Sequence, residues 1–377
     1  MKSIAIFGST GSIGKSTLKV IEKFNDKFKV KFLSANNNIR LLKEQIKKFS
    51  PEYVGVPEKA FHELKEEFPS LKIISGKNFL EDSVEIENID LIVMGISGFA
   101  ALKPTLKALY NGKMVALANK ESIVAGGKFI KEHLDKIIPV DSEHSSLFQL
   151  LKNIERANLK KIYLTASGGP FFNKDIDENI KKEDVLKHPV WNMGAKITVD
   201  SATMANKSLE IIEAFYLFSL SPEMIDVVIH PQSIAHSLIE FKDGVKFAQM
   251  SFPDMRYPIS YALFYPERAP EDPTEFKNFE LKKLEFFKPN YKKFPFLKIA
   301  YDCIKNGKSR AIVFNAANEE SVSLFLKNRI KFTDIFRIVI KLYESEEFKE
   351  IDNFNDILEI DLRVREKVKE LVNKGEF

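Results

Sequence analysis

Short apolar runs and amphipathic stretches alternate along the first 140 residues. Ser3–Phe7, Val30–Leu33, Tyr53–Val56, Lys72–Ile74, Asp90–Met94, Lys113–Leu117 and Lys136–Val140 are short and largely apolar, and such runs predict strands. Between them lie helical spacings, such as Leu18, Ile21 and Phe24, then Leu41–Phe49 and Ala100–Leu109. This alternation predicts an α/β fold, a doubly wound, Rossmann-like parallel sheet. Beyond residue 141 the pattern changes. Ser146–Arg156 reads as a helix and Lys161–Thr165 as a strand, and Ser167 opens a long polar loop to about residue 195. A helix start at Asp200 runs on through Ile211, Ile212, Phe215 and Leu217. Ile225–Ile229, Ser237–Phe241 and Val245–Ser251 alternate as strands. Prolines and charges dominate 266–295, and helical patterns fill the remainder (Ala311–Leu326, Ile335–Tyr343, Val364–Val372). The expected organisation is a nucleotide-binding domain over 1–140 and a central α+β domain over 141–265. A linker over 266–295 and a C-terminal helical domain over 296–377 complete it.

The first strand runs into Gly8-Ser9-Thr10-Gly11-Ser12-Ile13-Gly14 and then a helix. Strand, glycine turn and helix N-terminus form a dinucleotide site, where backbone amides meet a pyrophosphate. The spacing is G-x-x-G-x-x-G rather than G-x-G-x-x-G. Gly14-Lys15-Ser16 ends like a phosphate-binding P-loop, but the glycine that motif requires five residues earlier is Ser9. After the second strand, an NAD enzyme carries an acid for the ribose hydroxyl. This chain has Asn36, Asn37 and Asn38, then Arg40. That substitution favours a 2′-phosphate, hence NADPH, although asparagines also suit a turn.

Three polar constellations stand out. Pro139-Val140-Asp141-Ser142-Glu143-His144-Ser145 places two carboxylates two residues apart. In extended backbone they would face one side and share a divalent cation; the alternative is a helix start favouring acids. Asn119-Lys120-Glu121-Ser122 follows the sixth strand, at the edge where open α/β sheets bind ligands. Asn206 and Glu210 are i and i+4, and Lys207 and Glu210 i and i+3, which sets three polar groups on one helix side, with Ser201 expected just before the helix; the alternative is an exposed face with a local Lys–Glu pair. The long loop carries the only tryptophan, in His188-Pro189-Val190-Trp191-Asn192-Met193-Gly194; such a loop is disordered or a lid, and the aromatic and Met favour a mobile lid with Trp191 largely solvated in the free protein.

Composition narrows the field. The chain has 377 residues and 44% hydrophobic content, with 57 basic against 53 acidic side chains, net +4. That small excess is spread along the chain, which implies neither nucleic acid nor membrane. Cys303 is the single cysteine, so no intrachain disulfide forms, in keeping with a cytoplasmic protein. It sits in the helical tail with no base nearby in sequence, which argues against a thiol-dependent dehydrogenase. A non-catalytic dinucleotide sensor would have no use for the carboxylates.

Taken in order, these stretches resemble the 1-deoxy-D-xylulose 5-phosphate reductoisomerase family. Ser167-Gly168-Gly169-Pro170-Phe171, His230-Pro231-Gln232-Ser233 and Pro253-Asp254-Met255-Arg256 also carry the resemblance. It implies an enzyme dependent on NADPH and a divalent cation (Mg²⁺, Mn²⁺ or Co²⁺), usually a homodimer. The implied reaction isomerises 1-deoxy-D-xylulose 5-phosphate and reduces the product to 2-C-methyl-D-erythritol 4-phosphate. By motif match, Asp141, Glu143 and Glu210 are expected as metal ligands. Lys120, Ser142, Ser167, His188, Trp191, Ser201, Asn206, Lys207 and Glu210 are expected around the substrate, with Lys120, Glu143 and His188 catalytic. Thr10, Gly11, Ser12, Ile13, Asn36, Asn37, Asn38, Asn119, Glu121 and Gly194 are expected at NADPH. The three asparagines replace the Gly-Lys/Ser-Asn usual in the family.

Overall fold

The computed structural model describes residues 1–191, 193–274 and 283–377. Asn192, within the expected lid, and 275–282, within the expected linker, lie outside the described residues. The chain forms two compact units. One holds Met1–Ser122, Phe129–Ser145 and the segment beginning at Asp254; the other holds Ile123–Lys128, Ser146–Pro253 and the C-terminal residues to Phe377.

The first unit is built on a seven-stranded sheet. Its strands are β1 (Lys2–Phe7), β2 (Phe28–Ser34), β3 (Tyr53–Val56), β4 (Lys72–Ser75), β5 (Leu91–Met94), β6 (Val115–Leu117) and β7 (Ile137–Pro139). They run in the order β4-β3-β2-β1-β5-β6-β7, every pair parallel. Leu91–Met94 and Val115–Leu117 are fully buried, as both-face coverage requires. The direction of winding reverses between β1 and β5, so ligands are expected beyond the C-terminal ends of these strands. The glycine turn sits there, between β1 and the helix Ser12–Lys23. Gly14 admits no side chain: a Cβ would lie 2.4 Å from Ser9 Cα. Helix and turn therefore pack closer than any other residue permits.

The helix Arg256–Phe264, expected in the central domain, belongs to this first unit. Phe264 sets its ring edge-on to Phe24 and Phe28, at centroid distances of 5.0 and 4.9 Å. Lys2 Nζ donates to the Leu263 carbonyl at 3.0 Å. A sequence-local boundary misses this return because the attraction is between aromatic rings over 200 residues apart.

The second unit contains a four-stranded sheet of β8 (Leu159–Ala166), β9 (Ile225–Ile229), β10 (Ala235–Phe241) and β11 (Lys246–Met250), in the order β11-β10-β8-β9. β8 and β9 are parallel, while β10 runs antiparallel to β8 and β11. The helices Phe296–Asn306, Arg310–Leu326, Phe332–Ser345 and Phe354–Asn373 form the C-terminal bundle, over an aromatic core of Phe296, Phe314 and Phe332. The Glu285–Phe287 part of the expected linker is tied down. Ile229 and Phe287 form a β-bridge, and His230 donates from Nδ1 to the Glu285 carbonyl at 2.8 Å.

The expected single helix through Asp200 is two helices, Ala195–Thr203 and Ala205–Phe218. Met204, with φ +61°, breaks the chain between them. Ser201 therefore lies in the last turn of one helix, not ahead of the next. Its amide is not one of the free donors that a helix start would offer.

Candidate active site

In the first unit the polar residues gather at the ends of β6 and β7. The helix Ser142–Leu151 begins directly after β7, and its first turn closes with Ser145 N–H donating to the Asp141 carbonyl at 2.7 Å. The extended arrangement expected for Asp141 and Glu143 is thus wrong. The segment takes the helix-start alternative, because acids in the first turn complement the helix dipole. Lys120 opens the helix that follows β6, and its ammonium lies 2.5 Å from Asp141 Oδ2. Both side chains are largely buried, at 7% and 14% exposure. Burial raises the Asp141 carboxyl pKa, but the Lys120 ammonium and neighbouring His144 outweigh it and hold the carboxyl well below its ordinary range. The Ser142 hydroxyl donates to Glu143 Oε2 at 2.5 Å.

Asn119 is committed to the protein itself. Its Nδ2 donates to the Ile96 and Gly98 carbonyls at 2.9 and 3.0 Å and to Glu121 Oε2 at 3.1 Å. Its Oδ1 accepts the Ser122 N–H at 2.7 Å. It ties the loop after β5 to the helix after β6. Thr10, Gly11, Ser12 and Ile13 form the half-exposed glycine turn, and Gly11 caps the following helix without a side-chain bond. That leaves the helix-start amides for an anion, so the turn fits a dinucleotide pyrophosphate. Asn36, Asn37 and Asn38 are exposed. Asn38 Oδ1 accepts the Leu41 N–H at 3.1 Å, so Asn38 caps the helix Ile39–Phe49. Arg40 extends into solvent, 3.6 Å from Glu44.

In the second unit, Ser167, His188 and Ser201 converge. His188 Nε2 lies 3.0 Å from Ser167 Oγ and 3.1 Å from Ser201 Oγ. Its Nδ1 accepts N–H groups from Val190 and Trp191 at 3.2 and 2.8 Å. Nδ1 is therefore the bare nitrogen and Nε2 carries the proton aimed at the serines. Burial lowers the His188 pKa to about 4, so the ring is neutral at pH 7. A second cluster follows the break at Met204. Asn206 Nδ2 donates to Glu210 Oε1 at 2.5 Å, and the Lys207 ammonium pairs with Glu210 Oε2. This bears out the i, i+3 and i+4 spacing. Glu210 is 1% exposed, a buried carboxylate that demands a cationic partner.

The loop from Ser167 is less free than its polarity suggests. Phe171 is buried, its ring 5.2 Å from that of Phe332, and Val185 is fully buried. Glu178 pairs with Lys331 at 3.2 Å and with Arg337, while Lys182 donates to the Leu326 carbonyl. Trp191, expected to be solvated, is half-buried with its ring 6.2 Å from that of His236. Gly194 caps the helix Ala195–Thr203.

Two contributors were missed. His144 is fully buried, its Nδ1 3.7 Å from Asp141 Oδ1, and its i, i+3 offset was the available signal. Gly169 has φ +66°, and a Cβ there would lie 2.7 Å from the Ser201 carbonyl oxygen. The Ser167 loop therefore lies directly on the Ser201 turn. The glycine pair was visible in the sequence, but what it approaches was not.

Comparison with known proteins adds identity to this geometry. Residues 4–127 match the sequence profile for 1-deoxy-D-xylulose 5-phosphate reductoisomerase. Residues 137–218 match that for the 1-deoxy-D-xylulose 5-phosphate reductoisomerase C-terminal domain, and 250–367 that for the DXP reductoisomerase C-terminal domain. The chain is 44% identical to the 1-deoxy-D-xylulose 5-phosphate reductoisomerase of Thermodesulfovibrio yellowstonii, over 99% of this chain and 100% of that protein. It is 45% identical to that of Chloroherpeton thalassium, over 98% and 97%. Among solved structures it is similar to DOX-P reductoisomerase in complex with NADPH, fosmidomycin and magnesium, with a TM-score of 0.92 and 35% identity over 100% of this chain and 99% of that one. The Zymomonas mobilis enzyme in complex with NADPH superimposes with a TM-score of 0.90 at 37% identity, over 98% and 99%. The chain belongs to the 1-deoxy-D-xylulose 5-phosphate reductoisomerase family.

Proposed function

We infer that the chain isomerises 1-deoxy-D-xylulose 5-phosphate and reduces the product to 2-C-methyl-D-erythritol 4-phosphate, in the non-mevalonate route to isoprenoid precursors. The observation that carries this reading is a pair of buried or nearly buried carboxylates, Asp141 and Glu210, each held by a lysine ammonium. Side chains that already seat a cation suit a hard divalent ion, and with Glu143 they supply the all-oxygen donor set such an ion takes. Asp141, Glu143 and Glu210 would hold the cation, and the glycine turn Thr10–Ile13 would hold NADPH. When bound, the cation polarises the substrate carbonyl and the nicotinamide supplies hydride.

The chain's own residues orient the sugar phosphate. His188, neutral and proton-bearing at Nε2, donates toward the pole where Ser167 and Ser201 offer hydroxyls. Asn206 and Lys207 stand in the first turn of the next helix, and all five suit a phosphate. Lys120, paired with Asp141, would stabilise developing negative charge on a substrate oxygen. Trp191 would cover the carbon chain and exclude water while the reactive aldehyde is present. Asn36, Asn37 and Arg40 would read the 2′-phosphate, and Asn119, Glu121 and Gly194 are proposed around the rest of the cofactor.

A homodimer in the cytoplasm belongs to the same reading. β11 is an open sheet edge, and Val245, Phe247 and Met250 around it are 49%, 53% and 44% exposed, a surface that favours a partner strand or sheet. Among the described residues no helix is long and apolar enough to cross a membrane. The deciding experiment follows NADPH absorbance with 1-deoxy-D-xylulose 5-phosphate and Mg²⁺ or Mn²⁺. Absence of substrate-dependent oxidation with either metal would refute the assignment.

A further inference from the structure

We propose that Asn318, in the C-terminal helical bundle, is a positioning residue for the phosphate-binding turn, acting on Ser201 through Asp200. This rests on the reading of Ser201 as a substrate-phosphate contact. Asp200 is 1% exposed, and its carboxylate has two partners. Lys196 Nζ lies 2.8 Å from Oδ2, and Asn318 Nδ2 donates to Oδ1 at 2.8 Å. The two partners do different things. Lys196 sits one turn earlier on the same helix, so it neutralises the charge but moves with it. Asn318 lies 118 residues further on, on the helix Arg310–Leu326, and pins the turn to a separate element.

That turn needs pinning. The helix Ala195–Thr203 ends two residues beyond Ser201, because Met204 leaves helical geometry at φ +61°. Met204 interrupts the helical register between this last turn and Ala205–Phe218, yet Ser201 Oγ must stay within hydrogen-bond reach of His188 Nε2, now 3.1 Å away. The Gly169 backbone also approaches closely enough that a Cβ there would lie 2.7 Å from the Ser201 carbonyl oxygen. A small rotation of the turn would either break the His188 contact or collide with Gly169.

The other end of the link is firm. Asn318 is fully buried. The adjacent Glu319 accepts from Arg365 Nη2 at 2.6 Å, and the same guanidinium bonds Asp361 at 2.7 Å, locking the helix to Phe354–Asn373. A carboxylate oxygen can only accept, so the Asn318 amide must present its NH₂, and a carboxylate at 318 cannot replace it. Loss of one hydrogen bond to a buried charge is worth about tenfold in an equilibrium that depends on it.

The test measures KM for 1-deoxy-D-xylulose 5-phosphate, KM for NADPH, kcat and melting temperature in the full-length enzyme. Asn318→Ala and Asn318→Asp should each raise the sugar-phosphate KM about tenfold while NADPH KM and kcat change less than about twofold. The reversed pair, Asp200→Asn with Asn318→Asp, should recover most of that loss, since an amide again faces a carboxylate. Asn318→Asp and the reversed pair decide the matter if Asn318→Ala does not fold. Unchanged sugar-phosphate KM in a folded single variant, or a reversed pair no better than its single variants, overturns the positioning role. Ser201→Ala separates the two levels. If it raises KM and the Asn318 variants do not, only the link fails; if Ser201→Ala leaves KM unchanged, the phosphate reading fails and the proposal with it.

Discussion

The ammonium of Lys120 lies 2.5 Å from a carboxylate oxygen of Asp141, an ion pair between the start of one helix and the residue just before another. Burial alone would protonate such a carboxyl, and the pairing keeps it charged. An ionised, largely buried carboxylate is ready for a divalent cation. Excess chelator should therefore abolish turnover, and Asp141→Asn or Glu210→Gln should lower it at least about 10²-fold with circular dichroism unchanged. Full activity in chelator would rule out the metal assignment.

Cofactor choice follows from the loop after β2. No acid is present there to bond a ribose hydroxyl, and Arg40 is 93% exposed, tethered only loosely to Glu44. NADPH should be preferred over NADH by at least about tenfold in kcat/KM, roughly 1.4 kcal/mol. Asn38 caps a helix, so Asn38→Ala should lower stability by about 1 kcal/mol in urea titration. Arg40→Ala should instead erode the preference and leave stability unchanged. Equal kcat/KM for both cofactors in the parent enzyme would mean the 2′-phosphate is not read.

The lone tryptophan reports on the lid. Trp191 is half-buried beside His236 before any substrate binds, so its resting emission should be intermediate rather than that of a solvated indole. Binding of a phosphonate analogue should move it further to the blue. Trp191→Ala should lower kcat/KM substantially with little change in melting temperature, because the anchors at Phe171 and Glu178 lie elsewhere on the loop. A variant that unfolds, or emission indifferent to ligand, would identify the segment as structural.

Acid should destabilise the second unit through its buried histidines. Burial lowers the pKa of His236 to about 4 from an ordinary 6.5. Between these values the unfolded chain binds a proton that the folded chain refuses, so stability falls as pH drops from about 6.5 toward 4. One such proton gives a slope of up to about 1.4 kcal/mol per pH unit. Denaturation at pH 7 and pH 5 should show His236→Gln losing less stability than the parent over that interval, by about 1–2 kcal/mol. Identical losses in the two proteins would refute the account.

The sequence by itself determined the seven parallel strands, the glycine turn and the C-terminal helices, because period and local chemistry set these. Tyr53–Val56 and Ile225–Ile229 occur at the expected residues, and Asn206, Lys207 and Glu210 meet as their spacing on one helix requires. Wherever two conformations were locally close in energy, the tertiary structure decided. Asp141 and Glu143 stand at a helix start rather than in a strand, a choice between nearly equal local preferences. Met204 in left-handed geometry splits a continuous helical pattern, which no apolar periodicity records. Contacts between distant residues were equally invisible: Phe264 on Phe24, Phe171 on Phe332, Gly169 against Ser201, Asn318 on Asp200. Each depends on rings, backbone or amides brought within a few ångströms by the fold, and no sequence offset encodes that distance.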